Sequence, residues 1–400
     1  MERFWFDNSE FYCCPNTKTP QGNREGVVVR VVVRVIKSML GRVISLGRVT
    51  VKGEILLSTT PLAKKIQKNA KIKIRYNYCI EDTLKLDGAM INQKDLNLDF
   101  KLVIDSRVVL AEMPVWDARI NKLYWIDTVG SIVHRYDPAT GKDESRAINA
   151  SLGAAVPCTS LDKVMVAVDN GMMLLDFVTG EMELIAQPQP NTGEFGYNDT
   201  RCDPVGRIFT SSVSKHYTEP GFDPKTMAGK FYMIEPDGRI VTLAEDVAQY
   251  NTIFLDKKCK NLYAVETYYK KLLRYDYTLE KGASGSPETV IEFEEMPDGV
   301  SVDVENNIYV CQWGSQQHIT VWSLDDYSQV GSIPFPVKHI CCGGFGGKDM
   351  KDFYVATSKF WLNDGDPDFA AGAGGIFCAR SPIAGIPEYF FRDDLFKKAK

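Results

Sequence analysis

Four oxygen-bearing side chains stand at one offset in this 400-residue sequence. Glu112 lies five residues before Asp117 in "EMPVWD", and Asn198 five before Asp203 in "NDTRCD". Asn251 lies five before Asp256 in "NTIFLD", and Asp298 five before Asp303 in "DGVSVD". Taken singly, each is a turn residue in front of a short strand. Taken together, they are hard oxygen donors, two charged and two neutral, of the kind that holds one divalent cation: Ca²⁺, Mg²⁺, Mn²⁺, Fe²⁺ or Zn²⁺. Without a cation, two carboxylates crowded together repel, and each holds its proton more tightly.

Such a set needs a scaffold that brings equivalent positions of successive repeats to one point. Six apolar–aromatic segments supply the repeats: "KLYWID" from 122, "VMVAVD" from 164, "RIFTSS" from 207, "NLYAVET" from 261, "NIYVCQW" from 307 and "DFYVATS" from 352. Their starts are 42, 43, 54, 46 and 45 residues apart. Each is followed by a second strand-like segment, with turn pairs such as "ATG" and "PDG" between them. This spacing of short antiparallel strands predicts an all-β six-bladed β-propeller. Its innermost strands converge on a central channel, where Glu112, Asn198, Asn251 and Asp298 would face one another. "FKLVID", Phe100 to Asp105, precedes the first repeat and is expected to close the ring against the last blade. The second repeat offers Pro157 at the shared offset, and the sixth brings Cys341 or Cys342 of "HICCGG" to the channel wall.

The chain divides into a basic N-terminal extension, 1–97, a propeller, 98–392, and a C-terminal tail, 393–400. Residues 1–100 hold 17 Lys+Arg against 10 Asp+Glu, whereas the rest of the chain is acidic and the whole carries a net charge of −5. Two readings of the extension stay open: a poorly ordered or small accessory segment, or an over-long gene model whose true start is Met90. The overall charge gives no reason to expect nucleic acid as a partner. The most apolar stretch, "GVVVRVVVRVIKSML", is broken by Arg30, Arg34 and Lys37, and the start lacks a signal-peptide pattern. Ten cysteines without zinc-site spacing read as reduced thiols. The expectation is a soluble cytoplasmic protein, monomeric or weakly self-associating, with no membrane partner.

At these residues the sequence resembles the regucalcin/gluconolactonase/luciferin-regenerating-enzyme family, of senescence marker protein type. The stretches that carry the resemblance are "LAEMPVWD", "YNDTRCDPVGRIF", "YNTIFLDKKCKNLYAVET", "MPDGVSVDVENNIYVCQWG" and "FGGKDMKDFYVATS", in the family's order. The resemblance implies hydrolysis of a small sugar (aldono-) lactone with one divalent metal at the propeller axis. It implies Glu112, Asn251 and Asp298 as metal ligands and Asp298 as general acid/base. Asn198 and Asp199 would hold the substrate, and His216 falls where the family has an acidic sugar-holding residue. Two departures accompany it: Gly196 stands where sugar-lactone members carry Arg, and His216 is not acidic. A calcium-binding regulatory propeller with little turnover is the alternative that shares the same metal site.

Other signals point nowhere further. Histidines 134, 216, 318 and 339 are isolated, with His216 and His339 the two that could line the pocket. "NDGDPD" from Asn363 lacks the Gly and Glu of a calcium loop and reads as a solvated loop. "GGFGGKD" from Gly343 lacks the G-K-[ST] of a phosphate loop and reads as a tight turn. Ser211, Ser212 and Ser214 sit in a strand rather than in a nucleophile elbow. No G-H…W-D signature supports a WD-type scaffold.

Overall fold

The computed structural model describes residues 97–396, apart from 218, 220, 315 and 364, together with the backbone of the pairs 30–31, 55–56 and 94–95. In residues 1–92, which form a separate unit, Arg30–Val31 pairs antiparallel with Ile55–Leu56. The rest of the extension lies outside the described residues.

Six sheets follow one another along the chain, the first four built of four antiparallel strands in chain order and the last two each taking one strand from ahead of the ring. Their innermost strands are Ala111–Asp117, Leu152–Pro157, Phe195–Cys202, Tyr250–Leu255, Pro297–Val302 and Ile340–Gly346. The six sheets are the blades of a β-propeller. The expected closure is present: Lys101–Ile104 pairs with Ile376–Arg380 as the outermost strand of the sixth blade, so that blade is sewn from both ends of the ring. Lys94–Asp95, within the stretch read as extension, adds a parallel strand to the edge of the fifth blade. In the stretch read as a tail, Asp393 is bound to the second blade, accepting from Thr159 Oγ1 at 2.6 Å and Ser160 N at 3.0 Å.

The hydrophobic clusters lie between blades rather than within them. Trp116, Leu123 and Trp125 of the first blade meet Tyr354, Ala356 and Ile376 of the sixth. Phe254 and Val265 of the fourth meet Val300 and Ile308 of the fifth. The inner strands, such as Lys122–Asp127 and Lys163–Val168, are buried on both faces by neighbouring blades, and β-branched and aromatic residues suit that environment. Outer strands such as Lys142–Ala147 are polar and largely exposed.

The offset of five has a structural cause. Asp203, Asp256 and Asp303 each end an innermost strand and turn a carboxylate back onto the hairpin that follows. Asp203 Oδ1 accepts from Val205 N and Arg207 N, Asp256 Oδ1 from Lys258 N and Lys260 N, and Asp303 Oδ1 from Glu305 N and Asn307 N. Such Asx turns are intrinsically favoured for aspartate. The aspartate therefore marks the outer limit of the inner strand, and the residue five earlier sits at its channel end.

The same hairpin closures correct the reading of the second blade. Cys158 N donates to Lys163 O just as Asp203 N donates to Arg207 O, so Cys158 occupies the aspartate position and Gly153, not Pro157, is the channel residue. A side chain is excluded there, because a Cβ on Gly153 would stand 1.8 Å from Tyr197 O of the next blade. In the sixth blade Gly346 pairs with Asp352 as Asp117 pairs with Lys122, which assigns the channel position to Cys341. Gly343, Gly344 and Gly346 lie in the strand rather than in a turn; only Gly347, at φ +76°, turns the chain. "NDGDPD" is also more ordered than expected: Asp366 caps a short helix, Pro367–Ala371, and buried Asp368 accepts from Gln317 Nε2 and Lys338 N. Among the described residues no helix is long and apolar enough to cross a membrane, and the cysteines there are free.

Candidate functional site

The channel ends of the inner strands open into one cavity. Glu112, Gly153, Asn198, Asp199, Asn251 and Asp298 line its floor. Five of the six residues read as site residues thus meet at one place. His216 does not: its ring faces Glu219 at 3.0 Å and Glu194 at 3.4 Å, and it is Tyr217 that lines the cavity. His339 stands behind Trp313 of the cavity wall.

The orientation of both asparagines is fixed by backbone carbonyls, which can only accept. Asn198 Nδ2 donates to Tyr250 O and to Asn251 Oδ1, both at 2.8 Å. Asn251 Nδ2 donates to Thr267 Oγ1 at 2.6 Å, and that hydroxyl spends its own proton on Pro297 O at 2.9 Å. With their amide nitrogens committed, the asparagines contribute oxygen to the cavity. Thr267 escaped the sequence reading because it follows the second strand of its blade, outside the offset pattern.

Glu112 is backed by the cysteine pair. Cys342 Sγ donates to Glu112 Oε2 at 2.9 Å and accepts from Met113 N at 2.8 Å, across a bulge in which Met113 takes φ +51°. Glu112, Asp298 and Cys341 each bring a ligand atom to within 4.8 Å of the other two. Asp298 is 7% exposed, and no protein group among the described residues donates to its carboxyl.

Charge is balanced unevenly. Asp199 accepts from Thr252 Oγ1 at 2.9 Å and faces the buried Arg201 guanidinium at 3.7 Å, which also lies 3.6 Å from Glu388. Glu112 and Asp298 make no ion pair among the described residues, and Arg201 acts on Glu112 only at longer range. Burial, then Asp199, pushes the Glu112 carboxyl up to about 8. Burial, then Glu112 and Asp199, holds the Asp298 carboxyl well above the usual carboxylate range. Two buried acids without compensation, within a ring of oxygen acceptors and one thiol, form a donor set that fits a divalent cation.

A six-bladed propeller with an acidic cluster at its axis is the class of protein that these observations define. Residues 110–359 match the model of the SMP-30/Gluconolactonase/LRE-like region, and the chain belongs to that family. Pentonolactonase XacC of Haloferax volcanii is 28% identical over 300 residues, covering 73% of this chain and 97% of the relative. Regucalcin of Gallus gallus is 25% identical over 301 residues, covering 74% and 99%. Among solved structures, a luciferin-regenerating enzyme superposes with a TM-score of 0.68 at 20% identity, covering 74% of this chain and all of that one, a likeness of fold.

Proposed function

We propose that this chain is a divalent-metal-dependent hydrolase of small lactones. The observation that carries the reading is the buried Asp298 carboxyl, which faces Glu112 and Cys341 with no donor of its own among the described residues. Support from kinship comes from relatives named for lactone hydrolysis, including the pentonolactonase above and a 6-deoxy-6-sulfogluconolactonase of Pseudomonas putida.

Glu112, Asn251 and Asp298 would hold the cation, with Cys341 beside them. A cation bound there supplies Lewis-acid stabilisation of negative charge on a carbonyl oxygen. The remaining work belongs to the chain. Asp298 takes a proton from the attacking water and returns it to the ring oxygen as the ester C–O bond breaks, giving the open hydroxy acid. Asn198, whose Nδ2 is committed to Tyr250 O and Asn251 Oδ1, presents Oδ1 to a hydroxyl or water and sets its direction. Asp199, paired with Arg201, lines the same floor.

The test is acid release from a panel of lactones by metal-stripped protein reloaded in turn with Ca²⁺, Mg²⁺, Mn²⁺, Fe²⁺ and Zn²⁺. Turnover above the spontaneous rate that requires both a cation and Asp298 supports the reading. Tight cation binding without turnover on any lactone overturns it in favour of a regulatory calcium-binding propeller.

A further inference from the structure

The floor of the cavity is polar, and its walls, apart from Thr128 and Gln249, are mainly aromatic and apolar. Tyr217, Tyr268, Met296, Trp313, Phe360 and Trp361 line it above the acidic residues. Three of them form one aromatic panel with His339 behind it. The Trp313 ring lies on His339 at 4.9 Å and 18°, with the Phe360 and Trp361 rings set edgewise to Trp313 at 6.4 and 5.9 Å. Across the cavity, Tyr268 packs against Phe222 at 5.1 Å and donates its hydroxyl to Tyr217 O, so that proton is already taken.

Trp361 is the anomaly. It leaves 66% of its surface exposed while holding φ at +60°, a conformation that non-glycine residues rarely adopt. A large apolar ring left in water beside a binding cavity gains free energy when a ligand covers it. Among the described lining residues there is no Lys, Arg or His to meet the hydroxyls of a sugar. A sugar hydroxyl buried against the aromatic panel would lose its hydrogen bond to water without gaining one there. Gly196 adds nothing, since a Cβ there would approach only Asp169 and Lys215, which are bonded to each other.

We infer that the preferred lactone carries an aromatic or comparably flat apolar group, seated between the Trp313–Phe360–Trp361 panel and the Tyr217–Tyr268 side, with its ester over Asp298. This rests on the lactone-hydrolase reading and narrows its substrate class. Flat rings stack or meet edge-to-face with such walls, while the ester reaches the polar floor.

The experiment compares dihydrocoumarin, an aryl-fused lactone, with δ-valerolactone, its bare-ring counterpart, and glucono-δ-lactone, on the cation-loaded full chain. The expected kcat/KM for dihydrocoumarin is at least about tenfold above both others, with quenching of tryptophan fluorescence on binding. In Trp361→Ala the ratio of dihydrocoumarin to δ-valerolactone kcat/KM falls about tenfold, mainly through KM. Because Trp361 is exposed, this variant folds. A preference for glucono-δ-lactone, or a ratio untouched by Trp361→Ala, overturns the inference and leaves the hydrolase reading standing. No turnover on any of the three overturns both.

Discussion

Asn198 donates to Asn251 Oδ1 at 2.8 Å across the boundary between the third and fourth blades. The bond links two of the four offset positions and is anchored at one end by Tyr250 O and at the other, through Thr267, by Pro297 O. The cavity's oxygen ring is thus anchored, at both ends, on backbone carbonyls.

Thr267→Val removes the acceptor that holds the Asn251 amide, while Thr267→Ser keeps it. Supporting contacts of this kind are worth about 10- to 100-fold in metal affinity. Competition titrations with a chelating dye should show a loss of that size for Val and near-complete rescue by Ser.

Asp298→Asn removes the proton carrier and also one of two uncompensated buried acids. Activity should fall by about 10² to 10⁴, while the metal-free protein should unfold at a higher temperature than the parent at pH 8. Parallel activity assays and melting curves check both halves; a drop in melting temperature would contradict the electrostatic account.

Cys341 puts a soft donor beside two hard ones. Cys341→Ser should therefore weaken Zn²⁺ relative to Ca²⁺ by about tenfold or more. In the Co²⁺-loaded parent a thiolate-to-cobalt charge-transfer band is expected in the near ultraviolet, and the Ser variant should lack it.

Glu266, buried beneath Gln249 N, has its carboxyl pushed up to about 8, by burial first. A raised pKa in the folded state means that its contribution to stability is full below about pH 4.3, the unfolded value, and is lost as pH rises through about 8. Denaturant unfolding between pH 5 and 9 should show the parent losing stability with rising pH, and Glu266→Gln should flatten the slope.

Much of the site was legible because aspartate turns fixed the length of the inner strands. Where the turn uses another residue, the pattern was silent or misleading. Cys158 in place of aspartate shifted the second-blade reading to Pro157, and Gly346 left the sixth undecided between Cys341 and Cys342. The blade count and the closing strand were readable from strand spacing and from one apolar segment ahead of the first repeat. Thr267, Trp313, Phe360 and Trp361 carry no periodic signal, because they lie at strand ends and loops whose course depends on neighbouring blades. His216 sits next in sequence to a cavity residue but points away, into a pair of glutamates.

The sixth blade takes Lys101–Ile104 from one end of the ring and Ile376–Arg380 from the other. During synthesis, the early strand must wait for nearly the whole propeller to emerge before its partner exists. At ribosomal speeds that delay is on the order of tens of seconds. Throughout it, Cys341 has not joined Glu112 and Asp298, and an unpaired strand stays open to wrong partners. A nascent chain therefore cannot gather its axial donors early; the cation can enter a complete site only once translation is nearly over.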